Sequence, residues 1–141
     1  MNEEIILTKA GLQDLAQELA SEIKPADNIF LTGELGSGKT TFTQQLLKAL
    51  GSNEIATSPT FQIMNEYPLK NEQRLMHFDL YRLEHPDDVA ALGIHDYLRD
   101  PKAIVIIEWP EKGEQVLPEP DWHLHFEHRS PTTRQLQVTK K

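Results

Sequence analysis

The octapeptide Gly33-Glu34-Leu35-Gly36-Ser37-Gly38-Lys39-Thr40 constrains this chain more than any other feature. It fits the pattern G-x-x-x-x-G-K-[ST], whose glycines leave no Cβ between backbone and phosphate, so that successive N–H groups can converge on anionic oxygens. The lysine then reaches the β and γ phosphates as a mobile point charge, and the threonine hydroxyl has the length to ligate Mg²⁺. Such a loop needs a strand before it and a helix after it. Both are legible. Asn28-Ile29-Phe30-Leu31-Thr32 is a short apolar run of strand length, and Phe42, Leu46, Leu47 and Leu50 recur at helical spacing, with Gly51 where a helix would end. The expected ligand is a nucleoside triphosphate with Mg²⁺.

A length of 141 residues suits one domain, 1–141, with a core that needs no staples. The chain has no cysteine, which excludes disulfides, zinc-thiolate sites and cysteine nucleophiles. Met1-Asn2-Glu3-Glu4 is acidic and precedes only three apolar residues, unlike a signal or transit peptide. No apolar run approaches membrane-spanning length, so the expectation is a soluble, cytoplasmic protein without a membrane partner. The net charge of -8 argues against a direct grip on nucleic acid, since that affinity comes mainly from neutralising phosphates.

The rest of the chain reads as α/β. Leu12, Leu15, Ala16, Leu19, Ala20 and Ile23 predict an amphipathic helix over 11–24, ended by Pro25. Phe61–Tyr67 and Arg74–Leu80 predict an antiparallel hairpin, and Pro86–Leu92 and Ile94–Arg99 predict short helices. The β-branched run Ala103–Ile107 predicts a strand buried on both faces, central with Asn28–Thr32. Trp109–Pro120 reads as a proline-rich surface loop. Trp122–Glu127 and Gln135–Thr139, around the turn Ser130–Thr133, predict a closing hairpin. The expected fold is a P-loop NTPase-like domain with a mixed, partly parallel sheet.

Three further constellations carry chemistry. Glu108 follows the buried strand, where phosphate-loop proteins place an acidic residue near Mg²⁺ and its waters. Being one methylene longer than the more usual Asp, it either ligates the metal or acts through water. In His77-Phe78-Asp79-Leu80-Tyr81-Arg82, strand alternation puts His77, Asp79 and Tyr81 on one face. That face is either the solvated side of an edge strand or an occupied one, with Asp79 near the γ-phosphate or Mg²⁺ and Arg82 holding an anion or a partner. Ser58-Pro59-Thr60-Phe61 lies where nucleotide switches put a γ-phosphate-sensing hydroxyl, and it also suits an ordinary turn. Trp109 fits packing, a lid or a partner contact.

Taken in order, G-x-x-x-x-G-K-T-T-F, S-P-T-F, H-F-D-L-Y-R and I-I-E-W-P resemble the TsaE (YjeE) family over about Leu7 to Trp122. The resemblance implies an ATP-binding, slowly hydrolysing, Mg²⁺-dependent protein that serves threonylcarbamoyladenosine modification of tRNA. Its implied partners are the TsaD and TsaB proteins, with tRNA met only through that complex. The implied nucleotide-binding residues are Gly33, Glu34, Leu35, Gly36, Ser37, Gly38, Lys39, Thr40, Thr41, Thr60 and Trp109, with Ser58 a second switch-like hydroxyl. Lys39, Asp79 and Glu108 are the catalytic candidates, and Thr40 and Glu108 the metal candidates. No arginine finger is assignable within the chain, which predicts slow intrinsic turnover. The competing classes are a small nucleotide or metabolite kinase, for which Arg82–Pro101 is a short lid, and a GTP-dependent switch, for which no Asn-Lys-x-Asp stretch is present.

Overall fold

The apolar run ending in Ile107 forms the heart of the sheet. The computed structural model describes residues 2–56 and 63–141, and in it β5 (Ala103–Glu108) is buried at every position. It runs parallel to β2 (Asn28–Gly33) on one side and to β4 (Arg74–Asp79) on the other. With apolar layers on both faces, β5 has no solvated side to mark by polar alternation, so its sequence is continuously hydrophobic.

Four more strands, β1 (Asn2–Leu7), β3 (Met64–Pro68), β6 (Trp122–Ser130) and β7 (Thr133–Lys140), complete a mixed sheet in the order β1-β7-β6-β2-β5-β4-β3. β6 is parallel to β2, while the β3–β4, β6–β7 and β1–β7 pairs are antiparallel. Helices α1 (Lys9–Ala20) and α2 (Lys39–Ala49) cover one face. Leu12, Leu15 and Leu19 of α1 and Phe42, Leu46 and Leu47 of α2 join Ile29, Leu31, Ile106, Leu124 and Leu136 in one core. On the opposite face α3 (Pro86–Ala91) and α4 (Ile94–Leu98) bring Val89 and Ile94 to Met76, Phe78, Val105 and Ile107. Helices on both faces of a sheet with a parallel centre satisfy the expected α/β class.

Several boundaries differ from the sequence reading. α1 starts at Lys9, because the Thr8 hydroxyl accepts from Gly11 N–H at 3.2 Å and caps it. It ends at Ala20, before Pro25, because Ser21 bonds back to the Glu18 carbonyl through both its amide and its hydroxyl. The acidic N-terminal segment forms β1, whose partner β7 comes from the far end of the chain. The first hairpin strand begins at Met64; Phe61 and the switch-like Ser58 and Thr60 lie outside the described residues. The closing hairpin runs to Ser130, and Trp109–Pro120 is more than a surface loop: Pro110–Gly113 make a 3-10 turn and Val116 and Leu117 pack on the second core. Among the described residues, no helix is long and apolar enough to cross a membrane.

Candidate functional site

Three parallel neighbours, β2, β5 and β4, end side by side at Gly33, Glu108 and Asp79. In open α/β sheets ligands gather outside the carboxyl ends of such strands. A cleft of about 310 Å³ opens there, lined by Leu35, Gly36, Gly38, Lys39, Thr40, Thr41, Asp79, Glu108, Trp109 and Arg134. Most of the residues expected at the site from the sequence are therefore brought together. Ser58 and Thr60 lie outside the described residues, and Gly33, Glu34, Ser37 and Arg82 do not line the cleft.

The loop is shaped by close approach. Gly33, at φ 134°, pairs with Phe126 of β6, and a Cβ placed there would lie 2.4 Å from the Phe126 carbonyl oxygen. Gly38 ends the loop in the left-handed region as the N-cap of α2, and no side chain caps that helix. First-turn amides with no capping side chain at an exposed helix start are left for an anion. Ser37 is fully buried, and its hydroxyl has no hydrogen-bond partner among the described residues.

Lys39 is buried to 5% exposure. Its ammonium donates to the Gly33 carbonyl at 2.6 Å and lies 4.3 Å from the centre of the Trp109 ring, whose other neighbour is Tyr81 at 4.9 Å between centroids. Burial pushes the Lys39 ammonium below its ordinary 10.5, against the opposing pull of Glu108, Asp79 and Glu111. Trp109 has φ 57° and ψ 47°, a left-handed conformation unusual for an aromatic residue, which turns the chain sharply after Glu108.

Asp79 and Glu108 are directly paired across β4 and β5. Desolvation, and then the neighbouring Glu108 charge, raise the Asp79 carboxyl above its usual 3.8, despite the Tyr81 N–H it accepts at 3.0 Å. A raised carboxyl favours the folded state below its unfolded value, and that contribution is lost as pH rises through the folded one. Asp79→Asn is therefore expected to unfold no earlier than the parent at pH 7, with the difference shrinking as pH falls from the raised folded value toward the usual 3.8 and gone below it. Thermal unfolding across that range measures it; a variant markedly less stable at pH 7 would contradict the strained-carboxylate account.

His77 overturns the solvated-edge alternative for its strand. β4 lies between β3 and β5, and His77 is fully buried with Nε2 hydrogen-bonded to Glu108 Oε2. Alternation assigned the face correctly, but sheet order decided that the face is covered. Arg134 is the cleft residue the sequence reading missed. It sits on β7, and its guanidinium donates to the Ser130 and Thr133 carbonyls while Nε is buried without a partner among the described residues. Nothing local to Arg134 signals this, because a hairpin from the chain's end carries it to the loop.

A second cleft of about 380 Å³ adjoins the first and shares Gly38, Thr41 and Arg134 with it. Leu7, Leu12 and Leu136 give it apolar walls, and Thr8 and Lys9 add polar ones. The two clefts together suit a ligand with an anionic end and a flatter, less polar end.

The family model for the threonylcarbamoyl adenosine biosynthesis protein TsaE matches residues 6–136. A tRNA threonylcarbamoyladenosine biosynthesis protein TsaE from Haemophilus influenzae is 42% identical over 93 residues, 66% of this chain and 58% of that protein. The protein of the same name from Bacillus subtilis is 34% identical over 125 residues, 89% of this chain and 77% of that one. The matched stretch thus spans little more than half of the Haemophilus relative. The crystal structure of Bacillus subtilis YdiB superposes with a TM-score of 0.76 at 26% identity, covering 99% of this chain and 87% of that one. With its loop, strand-end carboxylates and sheet order in place, the chain belongs to the TsaE family of threonylcarbamoyladenosine biosynthesis proteins.

Proposed function

We propose that this chain binds ATP with Mg²⁺, hydrolyses it slowly, and acts on a TsaD–TsaB complex in threonylcarbamoyladenosine modification of tRNA. The observation that carries this reading is the convergence of Lys39, Thr40, Asp79 and Glu108 on one cleft at the uncapped start of α2. The loop amides and Lys39 hold the phosphates, the ammonium exchanging its Gly33 carbonyl for phosphate oxygens. Thr40 and Glu108 are the groups that would hold Mg²⁺, which when bound neutralises charge on the β and γ phosphates. Asp79 orients the attacking water, and its raised proton affinity suits a group that gains most from a nearby cation. The nucleoside extends past Thr41 into the adjoining cleft, beside Arg134. The Arg134 guanidinium is engaged by the Ser130 and Thr133 carbonyls, so slow intrinsic turnover is expected.

The test is hydrolysis and competition binding with ATP, ADP and GTP, with and without Mg²⁺, followed by reconstitution with TsaD, TsaB and tRNA scored for modified adenosine over many turnovers. Glu108→Gln is expected to lower turnover about 10²-fold and to affect metal-free ATP affinity little. Parent-level turnover in that variant would remove Glu108 from the mechanism, and a phosphorylated small-molecule acceptor would favour the kinase. With net charge -8 the isolated chain is expected to bind tRNA weakly. Tight, salt-sensitive binding by the chain alone would overturn the partner-mediated reading.

A further inference from the structure

His77 is the most completely buried titratable side chain near the site, and nothing in the proposed chemistry uses it directly. Its whole side chain is inaccessible, Glu108 is 4% exposed, and the two meet through His77 Nε2 and Glu108 Oε2. An ionised carboxylate offers only acceptors, so a hydrogen bond between them requires the proton on Nε2. The other ring nitrogen, Nδ1, is buried and has no hydrogen-bond partner among the described residues.

The sheet explains how the contact arises. Asp79 is directly opposite Glu108 in the β4–β5 register, and His77 is opposite Ile106, one pleat back on the same face. His77 therefore reaches Glu108 diagonally, from beneath, while Asp79 flanks it at the mouth of the cleft. One carboxylate oxygen is taken by the histidine. Glu108 itself lines the cleft, and Oε1 is the oxygen this contact leaves unused.

We infer that His77 is a positioning residue for Glu108: its Nε2–H clamps Oε2 and so presents Oε1 to the metal and water of the nucleotide site. The side chain at position 108 needs this help. It is one methylene longer than Asp and has one more rotatable bond, so a carboxylate otherwise free to pivot is held in one orientation by a donor that is itself locked in the core. Neighbours of this kind orient metal-binding groups elsewhere, and their loss typically costs about 10- to 100-fold in metal affinity or activity. The inference rests on the proposed role of Glu108, and the test separates the two.

Three variants are compared: His77→Phe, which keeps a ring but no donor; His77→Gln, whose amide can place N–H near the position of Nε2; and Glu108→Gln. The readouts are Mg²⁺-dependent ATP affinity by calorimetry, metal-free ATP affinity, and kcat against KM. His77→Phe is expected to weaken the Mg²⁺-dependent part of ATP binding and lower kcat by about 10- to 100-fold, with metal-free affinity within about 2-fold of the parent. His77→Gln is expected to recover most of both. If Glu108→Gln loses the Mg²⁺ response and His77→Phe keeps it, the positioning role is wrong and the Glu108 role stands. If Glu108→Gln itself keeps the response, the Glu108 role fails first. Equal loss in His77→Gln and His77→Phe would assign His77 to packing alone. Should the phenylalanine variant fail to fold, ¹⁵N-histidine NMR of the parent decides: a proton on His77 Nε2 is required, and a ring protonated only on Nδ1 overturns the inference.

Discussion

Lys39→Ala is expected to lower ATP hydrolysis by about 10²- to 10³-fold, the loss typical when one preorganised donor is removed from a developing anion. The ammonium is nearly inaccessible, held between the Gly33 carbonyl and the Trp109 ring, and faces Glu108 and Asp79. It is therefore the main fixed positive charge set against two carboxylates at the strand ends. Without it, the cleft would present Asp79 and Glu108 to an incoming polyphosphate with backbone amides, Thr40 and Arg134 left in compensation. The fold should survive, since burial already disfavours the charged amine and truncation removes that cost along with one hydrogen bond. Steady-state hydrolysis and nucleotide titration, with circular dichroism as the control for folding, measure this. Parent-level hydrolysis with unchanged affinity would show that this loop is not the phosphate site.

Gly33→Ala is expected to produce the largest loss of stability from a single added methyl, about 3 kcal/mol. Two penalties coincide. The backbone at φ 134° lies outside the regions open to residues with a Cβ, and the added carbon would sit 2.4 Å from the Phe126 backbone oxygen. Relief would require β2 and β6 to separate at their paired ends, where Phe126 also packs edge-on against Phe42 of α2. The same movement would carry the Lys39 acceptor with it, so activity should fall even where the variant folds. Urea unfolding gives the stability term directly. A change below about 0.5 kcal/mol, the range of an ordinary surface substitution, would refute the close approach.

Much of the site was legible in the sequence because it is local. Gly33 to Thr41 form a strand-loop-helix unit whose conformation follows from glycines, a short apolar run and a periodic helix, all within one stretch of chain. The helix boundaries shifted only where single hydroxyls, Thr8 and Ser21, competed for backbone groups. The central strand was legible too, because burial on both faces leaves its mark on composition at every position of Ala103–Ile107.

What the sequence alone determined is therefore the glycine-rich strand-loop-helix unit, the buried centre of the sheet, the α/β class and the alternation that puts His77 and Asp79 on one side of β4. Tertiary structure decided the rest. Strand order placed β4 inside the sheet, so the His77 face became a buried contact with Glu108 instead of a wetted edge. Pairing of β1 with β7 joined the two ends of the chain, and the β6–β7 hairpin, seated on β2 through β6, carried Arg134 to the loop. These outcomes depend on which distant strands exchange backbone hydrogen bonds, a choice made by the collective burial of two apolar faces and written in no single segment.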